Sequence, residues 1–84
     1  MRHARPEDLD RVDGLLEQLR TIAGLTEKKR GVFYRGSKAF LHFHEDAGDI
    51  ICDARIDGAT FERVTVTTAA AQRRLMKDVS AVLA

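Results

Sequence analysis

The chain has 84 residues, 14 basic against 13 acidic, with a formal charge of +1 and a sequence pI near 8.0. That length admits one domain and no more, and the near-neutral balance excludes a protein that holds nucleic acid by bulk charge. A single cysteine excludes an internal disulfide, and no apolar run approaches the roughly 18 residues of a membrane span.

The basic opening, Met1 to Arg5, leads into Pro6-Glu7-Asp8 and not into an apolar stretch, so no secretory leader is expected. A reducing, cytoplasmic setting follows from the cysteine usage. Pro6 suits the first position of a helix, where a missing N–H costs nothing. Glu7, Asp8 and Asp10 place negative charge on the positive end of the helix dipole. Leu9, Val12, Leu15, Leu16, Leu19, Ile22 and Ala23 then repeat with the period of one buried face, which predicts a helix over residues 6–23. Gly14 inside it costs roughly 1 kcal/mol against alanine and suggests a close neighbour. Gly24 marks the end.

The pattern changes at Gly31. Val32 to Arg35, Gly36-Ser37 and Lys38 to His44 read as a hairpin with a two-residue turn. In that register Arg35 faces Lys38, Tyr34 faces Ala39, Phe33 faces Phe40 and Val32 faces Leu41. A loop over Glu45–Gly48 returns Asp49–Ile56 antiparallel, with His44 opposite Asp49 and Phe43 opposite Ile50. The two registers agree on one apolar face: Val32, Tyr34, Ala39, Leu41, Phe43, Ile50, Cys52, Ala54 and Ile56. Asp57-Gly58 signals a further turn and Thr60–Val66 a fourth strand, where a bulge near Glu62-Arg63 would reconcile a slip in phase. Thr67 or Thr68 caps a closing helix with Ala71, Leu75, Met76, Val79, Val82 and Leu83 as its stripe. The fold class is α+β: a four-stranded antiparallel meander with both helices on its apolar face, in the order αββββα.

The opposite face carries Phe33, Arg35, Lys38, Phe40, His42, His44, Asp49, Ile51, Asp53 and Arg55. Phe33, Phe40 and Ile51 side by side suggest an apolar patch bordered by Arg35 and His42, a surface fit for a partner and most simply for a homodimer. His42-x-His44 is the one pair with metal-ligand spacing, because residues two apart on a strand point the same way. Asp49 stands as the nearest oxygen ligand. His3 lies near the start of the chain and Cys52 points to the other face, so the pair lacks a third strong ligand. No metal and no cofactor is expected, and no catalytic residue is assigned, since nucleophile elbows and phosphate loops are absent. Basic residues gather at Lys28, Lys29, Arg30, Arg35 and Lys38. They could contact phosphates, with Phe33 and Phe40 as stacking surfaces. Cys52, in mid-strand between apolar residues, reads as a core thiol.

The run Gly31-Val-Phe-Tyr-Arg-Gly-Ser-Lys-Ala-Phe-Leu-His-Phe-His-Glu-Asp46, with Gly24-Leu-Thr-Glu27 ahead of it, resembles the small domains of the YjbR-like (MmcQ) group and the TfoX N-terminal domain. The resemblance covers about residues 20–56. It implies an α+β fold, a bacterial source and a DNA-binding role, and it carries over no catalytic residue. The chain departs from that group in being shorter and in lacking its aromatic C-terminal strand. The expectation is therefore a small binding or interaction module, self-associating through its open sheet face. Nucleic-acid binding by the 28–38 segment is the alternative.

Overall fold

The computed structural model describes residues 1–84. The elements run β1 (Arg2–His3), α1 (Pro6–Asp10), α2 (Asp13–Arg20), β2 (Thr26–Lys29), β3 (Val32–Arg35), β4 (Lys38–Asp46), β5 (Asp49–Ala54), β6 (Glu62–Thr65) and α3 (Ala69–Leu83). The class is α+β, and the sheet is antiparallel at every pairing. It has six strands where four were expected: β2-β3-β4-β5-β6 in order, with β1 added to β4 beyond the end of β3. No helix is long and apolar enough to cross a membrane.

The two extra strands have little apolar alternation. β2 is Thr-Glu-Lys-Lys on an edge, and β1 is two residues long. The expected first helix is divided at Arg11-Val12, where Val12 leaves helical geometry (φ −120°, ψ 24°). Its apolar steps at 9, 12 and 15 recur every three residues, tighter than an α-helix, and the Val12 N–H bonds the Leu9 carbonyl three residues back. Arg30 bridges the break, with its guanidinium on Asp10, on Asp13 and on the Pro6 carbonyl. Helix α2 stops at Arg20, ahead of the expected end at 23, and the Thr21 hydroxyl bonds the Gln18 carbonyl there. Thr68 caps α3 through the Ala71 N–H.

One bulge reorganises the sheet. The turn at Gly36-Ser37 forms with Arg35 opposite Lys38 and Tyr34 opposite Ala39, as predicted, but Phe33 then pairs with Leu41 and leaves Phe40 unpaired. Phe33 and Phe40, expected on the open face, both enter the core; Phe33 is fully buried and Phe40 is 2% exposed. Burying an aromatic side chain contributes about 1.5–3 kcal/mol, more than the net ~0.5–1.5 kcal/mol of a lost ladder bond. Arg55, just past β5, ties this stretch of β4 down: its N–H bonds the Phe40 carbonyl at 3.0 Å, continuing the β4–β5 pairing, and its Nε bonds the Ala39 carbonyl at 2.8 Å. By the same shift Val32 pairs with His42, so Val32, Tyr34 and Ala39 leave the apolar face to which they were assigned.

The β4–β5 turn is also shorter than expected. Ala47-Gly48 alone connects the strands, which moves the register by two residues: Leu41 faces Ala54, Phe43 faces Cys52 and His42 faces Asp53. A shift of two keeps every side chain on its predicted side. Between β5 and β6 the pairing is regular, with no bulge at Glu62-Arg63, because Phe61 lies before the strand. The core joins Leu15, Leu16 and Leu19 of α2 and Leu75 and Val79 of α3 to Phe33, Leu41, Phe43, Ile50 and Cys52. Cys52 is fully buried, and burial pushes its thiol pKa well above the ordinary range, which leaves it inert.

Candidate functional site

The face of the sheet away from this core gathers the histidines. His42 and His44 alternate with Leu41 and Phe43 on β4 and so share one side. β5 contributes Asp53 opposite His42, and Ile51 opposite His44. Asp49, the oxygen ligand suggested by the sequence, is displaced by the two-residue register shift. It pairs with Asp46 and accepts the Thr67 hydroxyl at 2.8 Å. Strand β1 sets His3 directly opposite His44, with ring centroids 5.0 Å apart. Asp53 thus takes the place expected of Asp49, and His3 is brought to the pair as a third histidine.

The floor of this site is buried. His44 is 8% exposed and Asp53 9% exposed, whereas His42 remains half-buried. His44, expected at the surface, is covered by its neighbours: His3 on one side and His42 edge-on at 4.8 Å on the other. Phe61 stands edge-on to His42 at 4.9 Å, and the Arg55 guanidinium lies 4.1 Å from the Phe61 ring centre. Residues 55–61 therefore form one wall, held by Arg55 on the Ala59 carbonyl and by Asp57 on the Ala59 and Thr60 N–H groups.

Both imidazoles converge on one carboxylate oxygen. His44 Nε2 lies 3.1 Å from Asp53 Oδ2 and His42 Nε2 lies 4.0 Å from it. The His44 contact lacks hydrogen-bond alignment, so Nε2 is buried without a hydrogen-bond partner. The other oxygen, Oδ1, accepts Arg63 Nε at 3.3 Å from β6. That bond fixes the carboxylate and leaves Oδ2 toward the histidines. Burial lowers the His42 pKa first and the adjacent His44 lowers it further, against the pull of Asp53. Neutral imidazole is thereby favoured at His42 near neutrality. Beside the cluster, in the gap where β1 ends and β3 begins, His3, His42, Val32, Tyr34 and Leu9 line a cleft of about 390 Å³.

The expected interaction patch does not assemble from Phe33, Arg35, Phe40, His42 and Ile51. Phe33 and Phe40 are in the core, Ile51 is buried beside His44, and Arg35 is exposed at the Gly36 turn. Of that set only His42 joins the site. Phe61 takes the aromatic role on this face, and its odd parity with Arg63 and Thr65 on β6 was the signal for it.

The basic residues are dispersed as well. Arg30 is engaged by Asp10 and Asp13, and Lys28 lies 4.5 Å over the Tyr34 ring. Lys29 pairs at the Val32 end of β3, while Lys38 pairs with Arg35 at the other. Three strand residues separate those ends, roughly 10 Å, and no buried anion pocket joins them. No family model, curated protein or solved structure matches this chain.

Proposed function

We propose that this protein is a small binding module, not an enzyme, and that it works through the helix-free face of its sheet around His44. The observation that carries the reading is the buried, hydrogen-bond-deficient Nε2 of His44 at the base of that face. Buried polar atoms are nearly always satisfied, so an orphan flanked by three polar neighbours is a place for a ligand atom. A cytoplasmic location agrees with a lone, buried, protonated cysteine.

Self-association through the same face is the second reading. Phe61 favours it, being 38% exposed and edge-on to half-buried His42. The DNA-binding role implied by the YjbR-like resemblance would use a different surface, Lys28, Lys29 and Lys38. With Phe33 and Phe40 buried, that surface has lost its stacking partners.

A thermal-shift panel of divalent cations, small oxyanions and short oligonucleotides tests these readings together. Stabilisation by a small ligand, lost in His42→Ala and kept in a Lys28→Glu/Lys29→Glu double variant, is the expected outcome. Stabilisation by oligonucleotides alone, abolished in the lysine variant and by salt, would transfer the function to the 28–38 segment. Light scattering of the wild type and Phe61→Asp decides whether a second copy occupies the face.

A further inference from the structure

We infer that His42, His44 and Asp53 form a binding site for a divalent first-row transition ion of the zinc type, with His3 as the neighbour of its open position. The inference rests on the binding face proposed above and names its ligand. One ligand atom from each of the three residues falls within 4.8 Å of the others. A tetrahedral zinc with bonds of about 2.0–2.1 Å needs such atoms about 3.3 Å apart. The His44–Asp53 and His42–Asp53 separations, 3.1 and 4.0 Å, already bracket that value. The remaining gap closes by rotation of His42, the least buried of the three.

The donor chemistry selects the ion. Two imidazole nitrogens and one carboxylate oxygen suit zinc, cobalt, nickel and copper, whereas calcium and magnesium require six or more oxygens or several waters. The ordinary alternative is an ion pair between Asp53 and a charged His44. That pair would give a well-aligned, short N–H···O bond, and the alignment is missing here. The site also has an outer support of the kind metal carboxylates carry: Arg63 holds Oδ1 and leaves Oδ2 facing inward. Its positive charge opposes an incoming cation, but Arg63 is 62% exposed, so solvent screens much of that repulsion.

The test is titration of tag-free protein with Zn²⁺ by calorimetry and with Co²⁺ by visible absorption. One equivalent should bind, and Co²⁺ should give the intense bands of a tetrahedral site. His42→Ala removes a ligand outright and should weaken Zn²⁺ by more than the roughly 10-fold that loss of an outer-shell support alone costs. Asp49→Asn should leave affinity unchanged, since Asp49 lies outside the cluster, and His3→Ala should have a smaller effect than His42→Ala. His44→Ala carries a folding risk because the residue is buried, so the half-buried His42 decides the matter, with circular dichroism confirming the fold. Absence of Co²⁺ bands, or Zn²⁺ binding indifferent to His42→Ala, overturns the metal. If Zn²⁺ fails while another small ligand still depends on His42, the binding face stands and only its assigned ligand falls.

Discussion

Arg2 Nη1 donates to Asp8 Oδ2 across 2.6 Å, and the same carboxylate oxygen accepts the Arg5 backbone N–H at 2.9 Å. One side chain therefore ties strand β1 to the start of α1 and closes the first turn of that helix. The tie has a consequence at the site, since β1 is the element that presents His3 to His44. The Arg2 bond first, and the Arg5 N–H second, hold the Asp8 pKa below its ordinary 3.8. A carboxylate with a lowered folded pKa stabilises the fold above its unfolded value, and that stabilisation is lost as pH falls through the folded value. Asp8→Asn should lower the melting temperature at neutral pH and make the acid decline shallower. It will not flatten it, because Glu27 and Asp57 are also held low: burial pushes Glu27 up, but Arg20 and the Gly31 N–H together outweigh it, and Asp57 is held by backbone N–H groups. Parallel acid limbs in wild type and variant would show that Asp8 contributes nothing through charge.

The bulge at Phe40 makes a sharper prediction about stability. If Phe33 were half of a cross-strand pair on an open face, its truncation would cost at most ~1 kcal/mol. Fully buried among Leu41 and the helices, Phe33→Ala should instead cost about 3–5 kcal/mol. Natural domains of this size are stable by about 5–15 kcal/mol, so the variant should lie near the edge of folding. Urea midpoints distinguish the two cases directly, and a loss below 1 kcal/mol would contradict the core placement.

Much of the architecture was legible because it is written in strong periodicities. The apolar stripe through Leu15, Leu16 and Leu19, the Gly36 turn, the alternation along β4 from Leu41 to His44 and a threonine cap at 67 or 68 each follow from local chemistry. Where the reading departed, the cause lay between strands. Parity along β5, and along β4 from Leu41 onward, was right, yet the partners of the histidines depend on loop length: a two-residue turn sets Asp53 opposite His42 and takes Asp49 away from His44. Phe33 changed face because a bulge buries two aromatics at once, a tertiary gain invisible to strict alternation. β1 gave no signal: two residues, Arg2 and His3, have no period, and only pairing with Glu45 and His44 makes them a strand. The third histidine could not have been placed without it.

Two glycines that look alike in sequence should behave oppositely. Gly31 turns β2 into β3 with φ +80°, and a Cβ there would lie 2.8 Å from Leu9 Cδ2. Gly31→Ala combines a left-handed backbone with a clash in the core edge and should cost about 1–3 kcal/mol. Gly14, which the sequence suggested as a close-packing point, has open space where its Cβ would be and no positive φ. Gly14→Ala should be neutral or stabilise α2 by up to ~1 kcal/mol. Thermal melts of the two variants check both signs, and a destabilised Gly14→Ala would refute the assignment.

The turn that sets the histidine register also offers a stabilising change. Ala47 and Gly48 have φ of 50° and 89°, both left-handed, as a two-residue hairpin turn with the twist of its strands requires. Gly48 adopts this freely, and its N–H is held by Glu45 Oε2 at 2.9 Å. Ala47 does not, since its Cβ meets the following carbonyl at a cost of about 1–2 kcal/mol. Asparagine tolerates the left-handed region and is the preferred residue ahead of glycine in such turns. Ala47→Asn should therefore stabilise the protein by up to ~1 kcal/mol, a rise of about 4–8 °C in a domain of this length. Ala47→Pro forces φ near −65° and should open the turn. The register that sets Asp53 against His42 would loosen with it, and Zn²⁺ affinity should fall even though no ligand has been touched. An unchanged or lower melting temperature in Ala47→Asn would show that the β4–β5 turn is not the two-residue connection on which the cluster depends.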